Sequence, residues 1–172
     1  VWAGVGGGRR GGGAGMGGGG VGGGVGVACC GDVRVGMKDA KFGVSGTRSG
    51  RTPAQIARYV LQKCGYSTGR RLMATAARFK GEEAGRLGVL DFVAETAEDL
   101  ASTEKRVKQD VLECAPGAVA ACKALIIGMP GTPDTQKVEV AAQNVSGCLQ
   151  GEEGKEGGAS FLERRKPNWH RE

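Results

Sequence analysis

From Gly22 onward the apolar residues fall into short runs and helical stripes separated by glycine and proline. Residues 25–30 are a small-residue run that can wind as a helix, and Val33-Arg34-Val35 reads as a strand ahead of a second turn at Phe42-Gly43. Thr52, Pro53 and Gln55 predict a helix start, with a hydroxyl cap, a proline at the first helical position and a glutamine three residues after the cap. Ile56, Tyr59, Val60 and Cys64 then share one face, and Gly65 is expected to end the helix. Around Phe79, Glu82-Glu83-Ala84 and Gly88 the pattern is a short helix stopped by glycine, followed by an apolar strand-like exit through Val93. Glu82 and Glu83 are expected to be helix-start charges on a solvated face rather than an acid/base pair.

The last third is helical throughout. Residues 98–113 carry dense mixed charge, with Leu100, Val107 and Val111 expected to face inward. Pro116 opens a small-residue helix closed by Gly128 and Pro130, and residues 133–149 place Val138, Ala141, Ala142, Val145 and Leu149 on one stripe. Periodicity leaves two uses for such stripes, core or subunit contact.

Composition changes this picture at one end. Of 34 glycines, 16 lie in the first 26 residues. Glycine maximises the entropy of the unfolded chain and buries nothing, so residues 1–21 are expected to lack fixed structure. The G-x-G-x-x-G spacing there, for example Gly13, Gly15 and Gly18, follows from the glycine density, and no strand precedes it, so a dinucleotide site is not predicted. Arg9-Arg10 is the only charge in that segment, which argues against a nucleic-acid tail. The net charge of +6 suits a polyphosphate ligand or simple solubility. Six cysteines make no C-x-x-C spacing and His170 is the single histidine, so no metal site is expected and the thiols read as reduced, small apolar groups. No apolar run is long enough to span a membrane, and no secretory core opens the chain, which suggests an intracellular protein.

Six motifs carry more than composition. Gly22-Gly23-Gly24 feeds the small-residue helix, Cys30-Gly31-Asp32 closes it, and Ala40-Lys41-Phe42-Gly43 follows. Further on come Ala74-Thr75-Ala76, then Phe79 with Glu82-Glu83-Ala84 and Gly88-Val89-Leu90, and last the segment KEGGASFLERRKPNW. In this order they resemble the crotonase superfamily, the enoyl-CoA hydratases and isomerases, whose motifs are GGG, CD, A-K/Q-F-G, L-T-G, F-x-A-x-E-A-x-x-x-G-L-V and a terminal E-G-x-x-A-F-x-E-K-R-x-P. The segment VSGTRSGRTPAQIARYV is most similar to the branch acting on glutaconyl-type thioesters, methylglutaconyl- and isohexenylglutaconyl-CoA.

The resemblance implies an α/β chain with a partial crotonase fold and a helical C-terminal part, its N-terminal half missing or replaced by the glycine-rich segment. The expected divisions are residues 1–21, a core fragment over 22–114 and a helical, trimerisation-type region over 115–172. It further implies an acyl-CoA thioester as substrate, with CoA part of the substrate and no separate cofactor. A homotrimer or hexamer is implied, with no nucleic acid or membrane as partner, in mitochondrion, peroxisome or cytoplasm.

By the same resemblance Gly23 is an oxyanion amide on the turn formed with Gly22 and Gly24. Phe161 with Arg165 or Lys166 would touch the CoA of a neighbouring subunit, though a basic solvated tail explains them equally well. The second oxyanion donor lies some tens of residues upstream in relatives, and only 22 residues precede Gly23 here. The two family glutamates fall on Gly26 and Gly46, and glycine cannot transfer a proton. Ser45, Thr47 and Arg48 are the neighbours that could order water, and Asp32 reads as a cap or ion-pair group. The implied role is acyl-CoA metabolism, acting on or binding acyl-CoA thioesters with enoyl-CoA hydratase as the nominal activity, impaired because both glutamate positions are glycine. The alternatives are a non-catalytic crotonase-like fragment or assembly protein and, more remotely, a glycine-rich nucleic-acid binder.

Overall fold

Two small sheets organise the first part of the chain in a computed structural model that describes residues 2–3, 13–16 and 19–170. β1 (Trp2–Ala3), β2 (Gly13–Met16), β4 (Val33–Met37) and β7 (Phe92–Ala94) form one sheet in the order β1-β2-β4-β7. β3 (Gly20–Val21), β5 (Lys41–Gly43) and β6 (Arg78–Lys80) form the other, in that order. β2, β4 and β7 run parallel, with Gly13 opposite Val33 and Val35 opposite Phe92, while β1 is antiparallel to β2. Parallel neighbours need a crossover. α1 (Gly23–Cys29) supplies it between β2 and β4.

Residues 1–21 thus contribute strands β1, β2 and β3, where composition predicts no fixed structure. The physical reason is that a sheet ladder is made by backbone N–H and C=O groups, which glycine retains. Arg9-Arg10 and Gly18 lie outside the described residues.

α2 (Ala54–Ala74) follows a short 3-10 turn at Gly46–Ser49. Its cap is Pro53 rather than Thr52, with no side-chain hydrogen bond, so the predicted hydroxyl cap is one residue out of register and unused. Gly65 does break the helix as expected, with φ 73° and ψ 166°, but the chain re-enters a helical path as far as Ala74. Ala76 then adopts φ 50°, at the position where the L-T-G motif has glycine. A left-handed conformation costs a residue with a Cβ about 1–2 kcal/mol. α3 (Gly81–Arg86) carries Glu82 and Glu83 in its first turn, and Glu82 pairs with Arg86 at 2.6 Å on the surface.

Val25, Phe42, Val44, Val60, Leu72 and Val89 are fully buried and form the core under α1, β5 and α2. Phe42 and Phe79 stack across the β5–β6 pair, ring centroids 5.8 Å apart.

The chain divides into two compact units, residues up to Val107 and residues from Lys108 onward. α4 (Ala97–Leu112) passes from one to the other and is followed by α5 (Pro116–Gly128), α6 (Asp134–Gln150) and α7 (Glu152–Leu162). Here the inward stripes are corrected. No residue of α4, α5 or α6 is buried, and Val111 is 40% exposed where an inward position was expected. On α6 Val138, Val145 and Leu149 are 81%, 56% and 66% exposed, which leaves the core reading of that stripe without support. A helical period identifies an apolar face but not what covers it. No single helix among the described residues is long and apolar enough to cross a membrane.

Candidate functional site

The glycine turn and the AKFG turn are held together by the backbone. β3 pairs with β5, Val21 opposite Gly43, and the Gly22 N–H donates to the Gly43 carbonyl at 2.7 Å. Gly22 has φ 58° and ψ −117°, which a residue with a Cβ seldom adopts. That turn converts β3 into α1 and leaves Gly23 as the first helical residue, exposed to solvent, with Gly22 and Gly24 half-buried. The Gly22 carbonyl accepts from Val25 N–H at 3.1 Å. A side chain built on Gly23 would meet nothing within 4 Å. An amide at the positive end of a helix, with open space beside it, can donate to an oxygen that gains negative charge.

Gly26 and Gly46 stand behind this turn in different surroundings. Gly26 is buried, and a Cβ there would overlap Ile56 Cγ2 and lie 2.6 Å from Ile56 Cβ. Gly46 opens the 3-10 turn, its carbonyl accepting from Arg51 N–H and from the Ser49 hydroxyl, each at 3.0 Å. A Cβ on Gly46 would sit 3.1 Å from the Arg51 carbonyl oxygen, a tight but nearly acceptable approach. Of the water-ordering candidates, Thr47 donates its hydroxyl to the Met73 carbonyl at 2.9 Å, Ser45 is half-buried and Arg48 is exposed. Nor is a thiolate at hand. Burial, with Cys64 close by, pushes the Cys29 thiol up to about 11, and burial raises Cys64 as well. Among the described residues no three His, Cys, Asp or Glu side chains converge as a metal site would require.

A buried ion pair braces β4 behind α1, and sequence reading missed it. Arg34 is 4% exposed and reaches Asp91 through Nη2 to Oδ1 at 2.6 Å and Nε to Oδ2 at 2.9 Å. Its Nη1 donates to the Gly88 carbonyl at 3.0 Å, and its backbone N–H to Asp91 Oδ2 at 2.7 Å. In the sequence Val33-Arg34-Val35 reads only as a strand. The partner lies 57 residues away, and no local signal connects the two.

In the second unit Phe161 is 83% exposed and Lys166 is exposed, whereas Arg165 is engaged. Its guanidinium donates to both oxygens of Glu156, at 2.6 and 2.9 Å, to Glu163 at 2.6 Å and to the Lys166 carbonyl at 3.3 Å. Glu156 also accepts from Asn168 N–H at 2.8 Å, and Trp169 Nε1–H donates to the Glu113 carbonyl at 3.2 Å. Arg165 therefore pins the tail back on α7. Hydrogen bonds from Arg165 and from the Asn168 amide hold the Glu156 carboxyl at about 2, against an ordinary value of 4.5. A carboxylate with a lowered native pKa stabilises above its ordinary value and loses that contribution as pH falls toward the native one. The tail is accordingly expected to detach between pH 4.5 and 2. In a Trp2→Phe background Trp169 emission should shift to the red across that window, and Glu156→Gln should give the shifted emission already at pH 7. An unshifted spectrum in Glu156→Gln would refute the pinning.

The order of these motifs is matched by known proteins. The family model for enoyl-CoA hydratase/isomerase aligns with residues 14–172. The chain belongs to the enoyl-CoA hydratase/isomerase family. Its fold is similar to that of Pseudomonas aeruginosa AtuE, at 39% identity and a TM-score of 0.84, over 88% of this chain and 58% of that one. An enoyl-CoA hydratase/isomerase from Marinobacter aquaeolei gives 35% identity and a TM-score of 0.85, over 90% and 58%. Among curated relatives, enoyl-CoA hydratase ACTT6 of Alternaria alternata is 35% identical over 59% of this chain and 34% of its own length. The short-chain-enoyl-CoA hydratase of Clostridium acetobutylicum is 30% identical over 81% and 54%. The chain thus spans between about a third and just over half the length of these curated relatives. Within the family-matched span lie the glycine turn, the AKFG turn and the terminal helix.

Proposed function

We propose that this chain binds acyl-CoA thioesters and polarises their carbonyl oxygen, with Gly23 N–H as an oxyanion donor on the Gly22–Gly24 turn. The observation that supports it is the Gly22 N–H to Gly43 carbonyl bond, which fixes both family motifs around an exposed amide at the start of α1. One such donor is worth about 3 kcal/mol of transition-state stabilisation. Phe161, Arg165 and Lys166 are the proposed contacts of the terminal helix to the CoA bound by a neighbouring copy of the chain, CoA being part of the substrate. Arg165 is the least available of the three, since Glu156 and Glu163 already occupy it. Hydration by paired glutamates is not proposed, because Gly26 and Gly46 carry no proton. The nominal family activity is therefore expected to be impaired, leaving polarisation of the bound thioester carbonyl at the oxyanion site.

The test is to titrate the protein with crotonyl-CoA and a glutaconyl-type thioester while following the conjugated-thioester absorbance. Binding without loss of absorbance is expected, and Lys166→Glu should weaken it several-fold by repelling the CoA phosphates. Affinity unchanged by that substitution would remove the terminal helix from the site. Turnover by the unsubstituted chain would refute the impairment.

A second reading is favoured by the exposed stripe on α6. A non-catalytic member that assembles with copies of itself, as a homo-oligomer, would cover Val138, Val145 and Leu149. Sedimentation of a stable trimer or hexamer that binds no thioester would favour this reading.

A further inference from the structure

The face of α1 that carries Gly23 continues one turn later to Gly26, because residues three apart share a helix face. It is open at Gly23 and roofed at Gly26. The roof is Ile56, on the first turn of α2, which packs against the core cluster and stands where a Cβ on residue 26 would go. Its position is set by the start of α2, where Ile56 and Ala57 N–H both donate to the Pro53 carbonyl, at 3.1 and 3.0 Å. Ile56 Cβ is itself within 2.6 Å of the site, so rotating the end of the side chain does not clear the space. A β-branched side chain has few alternative rotamers in a helix in any case.

From this we infer that Gly26 and Ile56 form a single steric unit, and that Ile56 is the residue that limits the acyl group. The absence of a side chain at residue 26 does not leave a vacant catalytic position, because its volume belongs to Ile56. A carboxylate cannot be restored at residue 26 without first making residue 56 small. An acyl chain leading away from a thioester oxygen at Gly23 meets the apolar Cγ2 and Cβ of Ile56 there instead of a proton donor. This assignment rests on the oxyanion reading of Gly23, whereas the steric coupling does not.

Both parts are tested with Gly26→Ala, Ile56→Gly and the double variant, followed by thermal unfolding and by thioester affinity. Gly26→Ala is expected to lower the midpoint by several degrees in the native background. In the Ile56→Gly background it should raise the midpoint, since the residue-56 Cα left behind is 3.5 Å from the new Cβ and alanine is the better helix former. Where the single Gly26→Ala variant fails to fold, recovery of a cooperative transition in the double variant reads the same coupling. Equal effects of Gly26→Ala in the two backgrounds overturn the steric unit. For specificity, Ile56→Gly should improve the affinity of a branched enoyl-CoA relative to crotonyl-CoA by roughly tenfold, the scale on which a pocket discriminates one methylene. An unchanged ratio, in a variant that still binds crotonyl-CoA, removes Ile56 from the acyl site. Failure of the unsubstituted protein to bind crotonyl-CoA at all refutes the oxyanion reading and, with it, the acyl-limiting role, while the unfolding data still decide the coupling.

Discussion

Asp91→Ala is expected to lower stability by about 3 kcal/mol, the lower end of the range for breaking a buried ion pair, because Asp91 is itself 33% exposed. The damage falls on the partner. Arg34 is 4% exposed and would keep its charge with only the Gly88 carbonyl left to accept from it. The substitution also releases the Arg34 backbone N–H and so loosens β4 where it pairs with β7. Hydrogen exchange on the β4–β7 ladder is the measurement that localises the effect, since each foldon opens with its own free energy. Faster exchange there together with a lower urea midpoint is the expected result. Replacing both partners with apolar residues, Arg34→Met with Asp91→Leu, should lose far less than Asp91→Ala, because no uncompensated charge remains. An Asp91→Ala midpoint equal to that of the unsubstituted chain would show that the pair contributes nothing.

Phe42→Ala should have the largest effect in the core, about 3–5 kcal/mol. Phe42 is 2% exposed and stacks on Phe79, so truncation removes both the burial and the ring contact between β5 and β6. The next residue, Gly43, accepts the Gly22 N–H that holds the glycine turn, so loss of β5 should also remove thioester binding. Phe42→Leu separates the two effects. It keeps an apolar side chain of similar volume, should lose less than about 1.5 kcal/mol, and should bind crotonyl-CoA as the unsubstituted protein does. A folded Phe42→Leu variant with no binding would mean that the ring takes part in the site. A stability loss below about 1 kcal/mol for Phe42→Ala would contradict its place in the core.

Much of the helical plan was legible locally. Gly65 breaks a helix, Gly88 follows the end of one, Pro116 opens one, and Gly128 closes it ahead of the 3-10 turn that holds Pro130. These residues act through their own φ range or their missing N–H, so three or four neighbours are enough to read them. The GGG and AKFG motifs were equally legible, and the family match covers both. Thr52 shows the limit of such signals: the cap residue was present, but the helix began one residue later without using it.

The amino-acid sequence by itself determined the family, the order of the helices, and the fact that Gly26 and Gly46 can hold no acid or base. These are properties of residue identity and local spacing, and folding does not alter them. Tertiary structure alone decided four other things. It drew glycine-rich strands into a sheet through backbone bonds that composition does not report. It buried Arg34 by bringing in Asp91 from 57 residues away, and it left the α6 stripe uncovered. It also closed the space over Gly26 with Ile56, a contact between helices 30 residues apart in the chain that turns an absent side chain into a filled volume. Each depends on which surfaces meet, and a one-dimensional pattern names the faces without naming their partners.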